Sequence, residues 1–437
     1  MSNSMVVLAA GKSTRMKSSI SKVMQLIAER PALGIIIDTA KNTNIDNIIL
    51  VTSPSMENVR EFASAENPNI IHAIQKESLG TGDAVKSALQ YLDKTGNVII
   101  MYGDTPFVET KTIEKLKKST SDLTVVGFNT DFPNKYGRLI TSEKCLNEIV
   151  EFNDATDEER LITNCNSGIY SVKSEYLHEL IPLINNDNAK KEFYLTDLVK
   201  LFVDRNYSCN VFNVNEKEVV GINTREDLSN AQNIMQRKIK SRLMKDGVSF
   251  INPESSYIAY DFKAGMDVTI YPNVFIGKAV KVGNEVNIRS FSHLESVEVK
   301  NNVNIGPFAR LRPGTILEDD VKIGNFVEIK NSHIEKTSKI SHLSYIGDTN
   351  VGRNTNIGAG AITCNYDGIS KKARTEIGNN VSIGSNTCLI APVTISDGAY
   401  VTAGSVITKD VAEDDLAFGR AKQVNLAKKA KTLREKK

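Results

Sequence analysis

The sequence predicts two domains of different architecture, an α/β domain with a mainly parallel sheet followed by a long parallel β-helix. The α/β prediction rests on apolar, strand-like runs that alternate with helical stretches in the N-terminal half. The β-helix prediction rests on a six-residue period between about Ile270 and Asp410, which fits neither an amphipathic helix nor a two-faced strand. With 437 residues, the chain is long enough for two domains or more.

The N-terminal strands are predicted from four apolar runs at 5–10, 48–51, 98–101 and 123–128, with a helical stretch at 84–92 between two of them. Ligands of a parallel α/β sheet bind at the carboxyl ends of its strands. This rule places three segments on one rim of the sheet: the loop at Gly11, the run 80–82 (GTG) and the run 102–104 (YGD).

The Gly11 loop is by itself an ambiguous signal, because it is neither a P-loop nor a dinucleotide fingerprint. It is consistent with a plain strand–helix corner. It is equally consistent with a phosphate site, since backbone N–H groups and the cations Lys12 and Arg15 suit a triphosphate.

A connecting helix is predicted over 224–244, because Leu228, Ala231, Met235, Ile239 and Leu243 form one apolar stripe. The basic residues of this helix (Arg237, Lys238, Lys240, Arg242) are expected to face solvent. Gly247 is expected to end the helix. The expected domains are therefore 1–224, a linker at 225–247, and 248–437.

The six-residue period is clearest near its end. Its predicted inward anchors there are Tyr345, Val351, Ile357, Thr363, Ile377, Ile383, Leu389, Ile395, Val401 and Ile407. Such spacing indicates a coil with short flat sides, in which one anchor per side points inward and stacked coils bury a continuous ladder.

Chemistry is expected where the hexads break into polar clusters, at 308–314, 325–330, 341–345 and 356–368. Polar groups on a repeat wall are costly to bury unless they are paired or bind something. Of the five histidines, only His342 lies in such a cluster. A structural histidine and a general base remain alternatives at this point.

Composition narrows the class of protein. The 54 basic and 52 acidic residues give a formal charge of +2, which indicates neither a nucleic-acid nor a membrane partner. No apolar run approaches the length of a membrane span, and no signal-peptide pattern precedes the first strand. Five cysteines without metal spacing argue against a disulfide framework, so we expect a cytoplasmic protein. After Arg420 we expect a frayed or disordered basic tail.

Several motifs together carry a resemblance that no one of them carries alone. They are 8–16 (LAAGKSTRM), Lys22, Gln75 with 79–82 (LGTG), 102–104 (YGD), 136–138 (YGR), 149–156 (IVEFNDAT), 166–168 (NSG) and 194–197 (YLTD). This set resembles the sugar-1-phosphate nucleotidyltransferases. With the repeat domain behind it, the chain resembles the bifunctional N-acetylglucosamine-1-phosphate uridylyltransferase/glucosamine-1-phosphate N-acetyltransferase family of bacterial cell-envelope synthesis, from Met5 to about Arg420.

The resemblance implies a Rossmann-like nucleotidyltransferase domain and a left-handed, hexapeptide-repeat parallel β-helix that forms a homotrimer. In the first domain it implies a site for UTP or UDP-N-acetylglucosamine. The residues of this site are Leu8, Ala9, Ala10, Gly11, Arg15, Lys22, Gln75, Gly80, Thr81, Tyr102, Gly103, Asp104, Gly137, Glu151, Asn166 and Asn223. Asp104 and Asn223 would also hold Mg²⁺, for which carboxylate and amide oxygens are hard ligands.

In the second domain the resemblance implies that His342 is the general base of acetyl transfer, a task that suits imidazole. The acceptor sugar phosphate would be held by Arg312, Lys330, Tyr345, Asn356 and Lys371, with Lys372 as a rival to Lys371. Acetyl-CoA would be held by Ala359, Asn365, Tyr366, Ser385, Ala403 and Arg420. The partners are thus small substrates, with no metal needed in this half.

Two residues depart from the family pattern: Ser13 stands where the family has Gly, and Ser21 where it has Pro. Three other functions stay open. A single-activity nucleotidyltransferase with a regulatory β-helix would not need the His342, Tyr345 and Asn365 cluster. A non-catalytic scaffold would not need Lys22, Asp104 and Asn223. A γ-type carbonic anhydrase would need a zinc spacing that His293, His333 and His342 lack.

Overall fold

The computed structural model describes residues 2–130, 135–142, 145–188, 190–369 and 371–435. The chain divides into two compact units between Met235 and Gln236. The helix Arg225–Lys245 crosses this division. The functional limits expected at residues 224 and 247 remain a prediction.

The first unit contains a nine-stranded mixed sheet. Its strand order is Ile71–Ile74, Asn47–Thr52, Asn3–Leu8, Asn97–Tyr102, Asn164–Lys173, Leu123–Asn129, Cys209–Val214, Cys145–Val150 and Arg138–Ser142. The strand Asn3–Leu8 is parallel to both of its neighbours, whereas Asn164–Lys173 is antiparallel to the strands on either side. The four predicted strands are confirmed, with ends that differ by at most two residues.

Helices cover both faces of this sheet because its central strand is apolar on both sides. Met5 and Val7 belong to one buried cluster, and Val6 and Leu8 to the other. The first cluster includes residues of the helices Ala32–Asn42, Glu57–Glu66 and Thr110–Lys117. The second includes residues of Thr81–Ala88, Ser174–Leu180 and Asp197–Val203. The remaining short elements are Asp157–Arg160, the hairpin strands Leu26–Ile27 and Arg30–Pro31, and the 3₁₀ turns Thr14–Met16, Lys22–Met24, Leu89–Tyr91, Ile181–Leu183 and Glu216–Glu218.

The predicted connecting helix exists as Arg225–Lys245, and the prediction for its basic face is wrong at one position. Ala231, Met235, Ile239 and Leu243 of the predicted stripe are buried. Lys240, expected in solvent, is only 6% exposed. Its ammonium donates hydrogen bonds to the carbonyl oxygens of Pro253 and Ser256. The Lys240 ammonium is therefore bound by carbonyl oxygens at the start of the second unit, although the helical periodicity of the sequence predicted that it faces solvent.

The second unit is a prism whose three faces are parallel sheets. Face 1 consists of Ser249–Phe250, Thr269–Ile270, Asn287–Ile288, Asn304–Ile305, Lys322–Asn325, Lys339–His342, Asn356–Ile357, Ser382–Ile383, Tyr400–Val401 and Leu416–Ala417. Face 2 consists of Tyr257–Ile258, Phe275–Ile276, His293–Leu294, Arg310–Leu311, Glu328–Lys330, Tyr345–Gly347, Ile362–Cys364, Cys388–Ile390 and Val406–Ile407. Face 3 consists of Lys263–Ala264, Lys281–Val282, Val297–Val299, Thr315–Leu317, His333–Ile334, Thr349–Val351, Thr375–Ile377 and Val393–Ile395.

The predicted anchors are buried inside this prism, with one exception. Tyr345 was expected to point inward, but its neighbour Ile346 is the buried residue and aligns with Ile329 on the preceding coil. The strict six-residue count fails because the side between Ile346 and Val351 is one residue shorter. Tyr345 therefore lies on the outside of face 2. After Arg420 the residues are exposed and include one short helix, Lys429–Arg434.

Candidate active sites

A cavity of about 390 Å³ opens in the first unit, where the central strands end. Thirteen of the sixteen residues predicted for the nucleotide site line it: Leu8, Ala10, Gly11, Lys22, Gln75, Gly80, Thr81, Tyr102, Asp104, Gly137, Glu151, Asn166 and Asn223. They come from eight separate stretches of the chain, so the fold brings together what the sequence keeps apart.

Three predicted residues do not line the cavity. Ala9 is buried in one of the two apolar clusters, and its N–H bonds the carbonyl of Val51. Gly103 uses its N–H to bond the carbonyl of Leu8. Arg15 reaches the site indirectly, because its guanidinium donates to Asn223 Oδ1 over 3.0 Å. Ala9 and Gly103 thus support the wall of the cavity from behind.

The oxygen atoms of Asp104 and Asn223 converge on one cation. The ammonium of Lys22 forms an ion pair with Asp104 Oδ2 and lies 3.0 Å from Asn223 Oδ1. A carboxylate and an amide oxygen that already share one positive group form a donor set that fits Mg²⁺, which takes few protein ligands and completes its shell with water and phosphate. The residues expected to hold the metal therefore fit it.

Another part of the cavity wall is polar and suited to a sugar. Burial raises the pKa of the Glu151 carboxyl group, which accepts a hydrogen bond from Thr196 Oγ1 at 3.3 Å. Asn166 donates from Nδ2 to the hydroxyl of Tyr170 over 2.9 Å, and its Oδ1 accepts from the N–H of Gly168. These bonds hold the Asn166 side chain in one orientation.

Gly80 shows why the glycine-rich run is needed at this site. Its φ is +120°, and an added Cβ would lie 2.5 Å from the carbonyl oxygen of Phe193. Gln75 Nε2 donates to the Gly80 carbonyl over 3.0 Å and to Asp83 over 2.9 Å. The two residues predicted to contact the nucleotide are thereby held together.

Several lining residues were not among the predicted site residues. They are Ser78, Ala84, Thr105, Lys135, Tyr136, Ser167, Gly168, Glu192, Val219 and Gly221. Most of them adjoin a predicted site residue or lie in a motif that carried the resemblance. The sequence therefore indicated the region of the chain in which they lie, although it did not indicate the residues themselves. Glu192 and Val219 reach the cavity through tertiary packing and have no such signal.

In the second unit, His342 lies exposed at the corner between face 1 and face 2. Its Nδ1 is 2.7 Å from Asn325 Oδ1 on the preceding coil. Because an amide oxygen only accepts, this contact places the proton on Nδ1 and leaves Nε2 with its lone pair. An exposed imidazole held in that tautomer is suited to accept a proton.

Four of the six residues predicted for acetyl-CoA, Ala359, Ser385, Ala403 and Arg420, climb this same corner, one per coil. The N–H of Gly360, which follows Ala359, donates to the carbonyl of His342. In the same way the N–H of Asn386, after Ser385, donates to the carbonyl of Ala359, and the N–H of Gly404, after Ala403, donates to the carbonyl of Ser385. The guanidinium of Arg420 then donates to the carbonyl of Ala403 over 2.6 Å. A continuous row therefore runs from the candidate base to Arg420, along which an elongated ligand can lie.

A second polar cluster occupies the corner between face 2 and face 3. Its centre is Asp348, which is 6% exposed and which the sequence did not mark as a site residue. Lys330, Asn331, Asn365 and Lys372 surround it. The neighbouring charge of Lys372, together with burial, lowers the pKa of Lys330. Of the two rival lysines, Lys372 is the one that lies against Lys330.

The other predicted acceptor residues are spread over two faces. Arg312 donates to Glu328 Oε1 over 2.9 Å on face 2, where Glu328 is aligned with Tyr345. Asn356 lies on face 1, aligned with Lys339 and Ser382. Tyr366 and Lys371 lie exposed on the loop that follows Asn365. Outward side chains on adjacent faces of a prism diverge, so one chain does not gather the whole set into one pocket.

Within the described parts of the chain, no group of three or more His, Cys, Asp or Glu side chains is arranged to hold a metal ion. No helix within those residues is long and apolar enough to cross a membrane.

Comparisons with known proteins match both units. Residues 5–168 match the MobA-like NTP transferase domain, 296–331 the bacterial transferase hexapeptide (six repeats), and 374–409 the hexapeptide repeat of succinyl-transferase. These matches confirm the predicted α/β nucleotidyltransferase domain and left-handed parallel β-helix.

Full-length relatives carry one name. The "Bifunctional protein GlmU" of Zymomonas mobilis is 43% identical over 443 residues, which cover 99% of this chain and 98% of the relative. The protein of the same name from a Ruegeria species is 45% identical, with 99% and 97% coverage. That of Agrobacterium fabrum is 43% identical, with 99% and 96% coverage.

Proposed function

The chain belongs to the bifunctional GlmU family, and from that premise we propose how its two units catalyse two steps of UDP-N-acetylglucosamine synthesis. The second unit transfers an acetyl group from acetyl-CoA to glucosamine-1-phosphate. The first unit then transfers a uridylyl group from UTP to N-acetylglucosamine-1-phosphate and releases pyrophosphate. The product would supply peptidoglycan and lipopolysaccharide precursors in the cytoplasm.

The observation that carries the uridylyl proposal is the convergence of Lys22, Asp104 and Asn223 in the wall of the cavity. In-line attack by the sugar phosphate on the α-phosphorus of UTP requires the protein mainly to position reactants and neutralise charge. Lys22 and Arg15 would neutralise the phosphates, and the backbone at 8–11, with Gln75, Gly80 and Thr81, would hold uracil and ribose.

Mg²⁺ would be held by Asp104 and Asn223 and would supply charge neutralisation of the phosphates and of the departing pyrophosphate. Lys22 would then move from these two oxygens to the phosphate oxygens. Gly137, Glu151 and Asn166, which also line the cavity, would hold the amino sugar, with Tyr102 and Gly103 supporting that wall.

For acetyl transfer, His342 Nε2 would remove a proton from the 2-amino group of glucosamine-1-phosphate as the amine attacks the thioester carbon. The C–N bond forms, the C–S bond breaks, and the departing sulfur takes the proton back from His342, so that coenzyme A leaves as the thiol. The contact between His342 Nδ1 and Asn325 supports this role, because it leaves the base nitrogen free. The row from Ala359 to Arg420 would hold acetyl-CoA.

We further propose a homotrimer in which neighbouring copies complete each acetyl site. The divergence of Tyr345 and Asn356 on two faces supports it, since a site built from both faces requires more than one prism. Cyclic packing of three identical prisms closes such a contact. Sedimentation of the full chain tests this arrangement, and a monomer that acetylates at full rate would contradict it.

The two activities are tested together by following coenzyme A and pyrophosphate separately, with glucosamine-1-phosphate, acetyl-CoA, UTP and Mg²⁺ present. We expect Asp104→Ala or chelation by EDTA to abolish pyrophosphate release and spare coenzyme A release. We expect His342→Ala to lower coenzyme A release by roughly 10²–10⁴-fold and to spare uridylyl transfer from supplied N-acetylglucosamine-1-phosphate.

His333→Ala is the matched control for His342, because His333 pairs with Glu318 on face 3, away from the His342 corner. It should retain both activities. Coenzyme A release that is unchanged in His342→Ala would show that another group is the base. Absence of coenzyme A release from the wild-type chain would instead favour a β-helix that only regulates the first unit.

A further inference from the structure

Asp348 is a buried carboxylate with three defined neighbours. Its Oδ1 accepts a hydrogen bond from Asn331 Nδ2 over 2.5 Å, and its Oδ2 accepts one from Asn365 Nδ2. The ammonium of Lys330 lies 3.9 Å from the same Oδ2. All three neighbours lie on adjacent coils, and two of them belong to the predicted acetyl-transfer site.

The carboxylate determines which way the Asn365 amide faces. Burial raises the pKa of Asp348, but hydrogen bonds from Asn331 and Asn365 and the charges of Lys330 and Lys372 bring it below its ordinary value. Asp348 is therefore ionised near neutral pH and can only accept hydrogen bonds. Asn365 must turn its NH₂ group toward Asp348, which leaves its Oδ1 pointing the other way.

We propose that Asp348 is a positioning residue for acetyl transfer, which fixes the Asn365 amide so that an oxygen acceptor faces the substrates. No hydrogen bond to Asn365 Oδ1 comes from any residue that the structure describes. The group it would accept from is an N–H donor. Two substrates supply one: the attacking amine of the sugar, and the amides of the pantetheine arm. This inference rests on the proposed acetyltransferase function.

The coil does not need this carboxylate for its own folding. The backbone N–H of Asp348 bonds the carbonyl of Lys330 over 2.9 Å, and its carbonyl accepts from the N–H of Thr375. These main-chain bonds continue the ladder whatever side chain is present. The residue does require a left-handed backbone, with φ of +51°, which Asn tolerates well. Asp348→Asn is therefore conservative in conformation and changes only donors and acceptors.

The first test is Asp348→Ala, which releases the Asn365 amide to rotate. A hydrogen bond to a charged group contributes about 1.5–3 kcal/mol, so kcat/KM for acetyl transfer should fall by about 10- to 100-fold. Asn331→Ala is the matched control, because it removes the other donor to the same carboxylate without touching Asn365. It should lower kcat/KM by no more than about threefold. Uridylyl transfer should be unchanged in both variants.

The second test is a rescue. In Asp348→Asn, the new NH₂ group can face either Asn331 or Asn365, and the amide it faces must reverse. In Asp348→Asn with Asn331→Asp, the new carboxylate at 331 takes that NH₂ group and returns the Oδ1 of residue 348 to Asn365. Acetyl transfer should then recover above the level of the single variant, which loss of a structural side chain would not produce.

The Michaelis constants identify the donor. A raised KM for glucosamine-1-phosphate in Asp348→Ala assigns the contact to the sugar amine, and a raised KM for acetyl-CoA assigns it to the pantetheine amides. The inference is overturned if Asp348→Ala keeps wild-type kcat/KM, if Asn331→Ala loses as much, or if the double variant recovers nothing. A wild-type chain that releases no coenzyme A would overturn the acetyltransferase function itself, and the inference with it.

Discussion

The hydroxyl of Ser13 accepts a hydrogen bond from the backbone N–H of Lys22 over 3.1 Å and so joins the Gly11 loop to the 3₁₀ turn Lys22–Met24. Ser13 is one of the two departures from the family pattern, and its φ is +53°, in the left-handed region where the family's Gly is unstrained. A non-glycine residue there costs about 1–2 kcal/mol. The hydrogen bond offsets part of that cost and orients the lysine that contacts Asp104 and Asn223.

Ser13→Ala should therefore impair uridylyl transfer more than Ser13→Gly does. Alanine keeps the left-handed strain and loses the bond to Lys22, whereas glycine loses the bond and relieves the strain. A neutral hydrogen bond contributes about 0.5–1.5 kcal/mol, so we expect kcat/KM for UTP to fall by about 2- to 10-fold in Ser13→Ala. Equal rates for wild type and Ser13→Ala would show that the hydroxyl does not position Lys22.

Ser21→Pro should stabilise the first unit. Ser21 has φ of −54° and ψ of 143°, which proline adopts, and its hydroxyl is buried without a hydrogen-bond partner in the described part of the chain. A compatible proline contributes about 0.4–1 kcal/mol by restricting the unfolded chain. Ser21→Ala separates the two effects, because it removes only the hydroxyl. Urea unfolding of the three proteins should rank proline above alanine, and a midpoint for proline below wild type would refute the prediction.

Lys240→Met should destabilise the second unit, because it leaves the buried carbonyls of Pro253 and Ser256 without their donor. An unpaired buried acceptor costs about 1–3 kcal/mol. Arg237→Met on the exposed side of the same helix is the control, and it should change stability by less than about 0.5 kcal/mol. Thermal unfolding measures both, and equal melting temperatures for the two variants would count against a role for the Lys240 ammonium.

The ion pair of Arg30 with Glu66 should make stability fall in acid. Arg30 donates two parallel hydrogen bonds to the Glu66 carboxylate, at 2.7 and 2.8 Å, and these bonds lower the pKa of Glu66. A lowered native pKa gives stabilisation that is complete above the unfolded value near 4.3 and lost as the pH falls through the native value. The free-energy difference between wild type and Glu66→Gln should thus shrink from pH 7 to pH 3. The exposed Glu61→Gln should show no such trend.

Local patterns in the sequence determined the architecture and predicted thirteen of the residues that line the cavity of the first unit. A six-residue period requires stacked coils because each inward side chain has to meet its equivalent above and below. It is broken where a side has five residues, as between Leu294 and Val299, Ile329 and Ile334, and Ile346 and Val351, and at the longer segment between Thr363 and Ile377. Glycines at positions such as Gly80 occur where no Cβ fits, so the glycine in the motif indicates a close approach of the backbone at that position. Patterns of this kind can be recognised from residues that are close to one another in the sequence.

Tertiary structure alone decided which polar groups meet. Lys240 has the sequence environment of a solvent-facing lysine, and only the fold brings the carbonyls of Pro253 and Ser256 to its ammonium. Asp348 lies 17 residues from both Asn331 and Asn365. These residues touch because one coil of the prism spans that many residues, so side chains far apart in sequence stack at one corner. The hydrogen bonds of a buried carboxylate are strong because of this stacking and because water is excluded. Neither condition can be recognised from a single sequence motif.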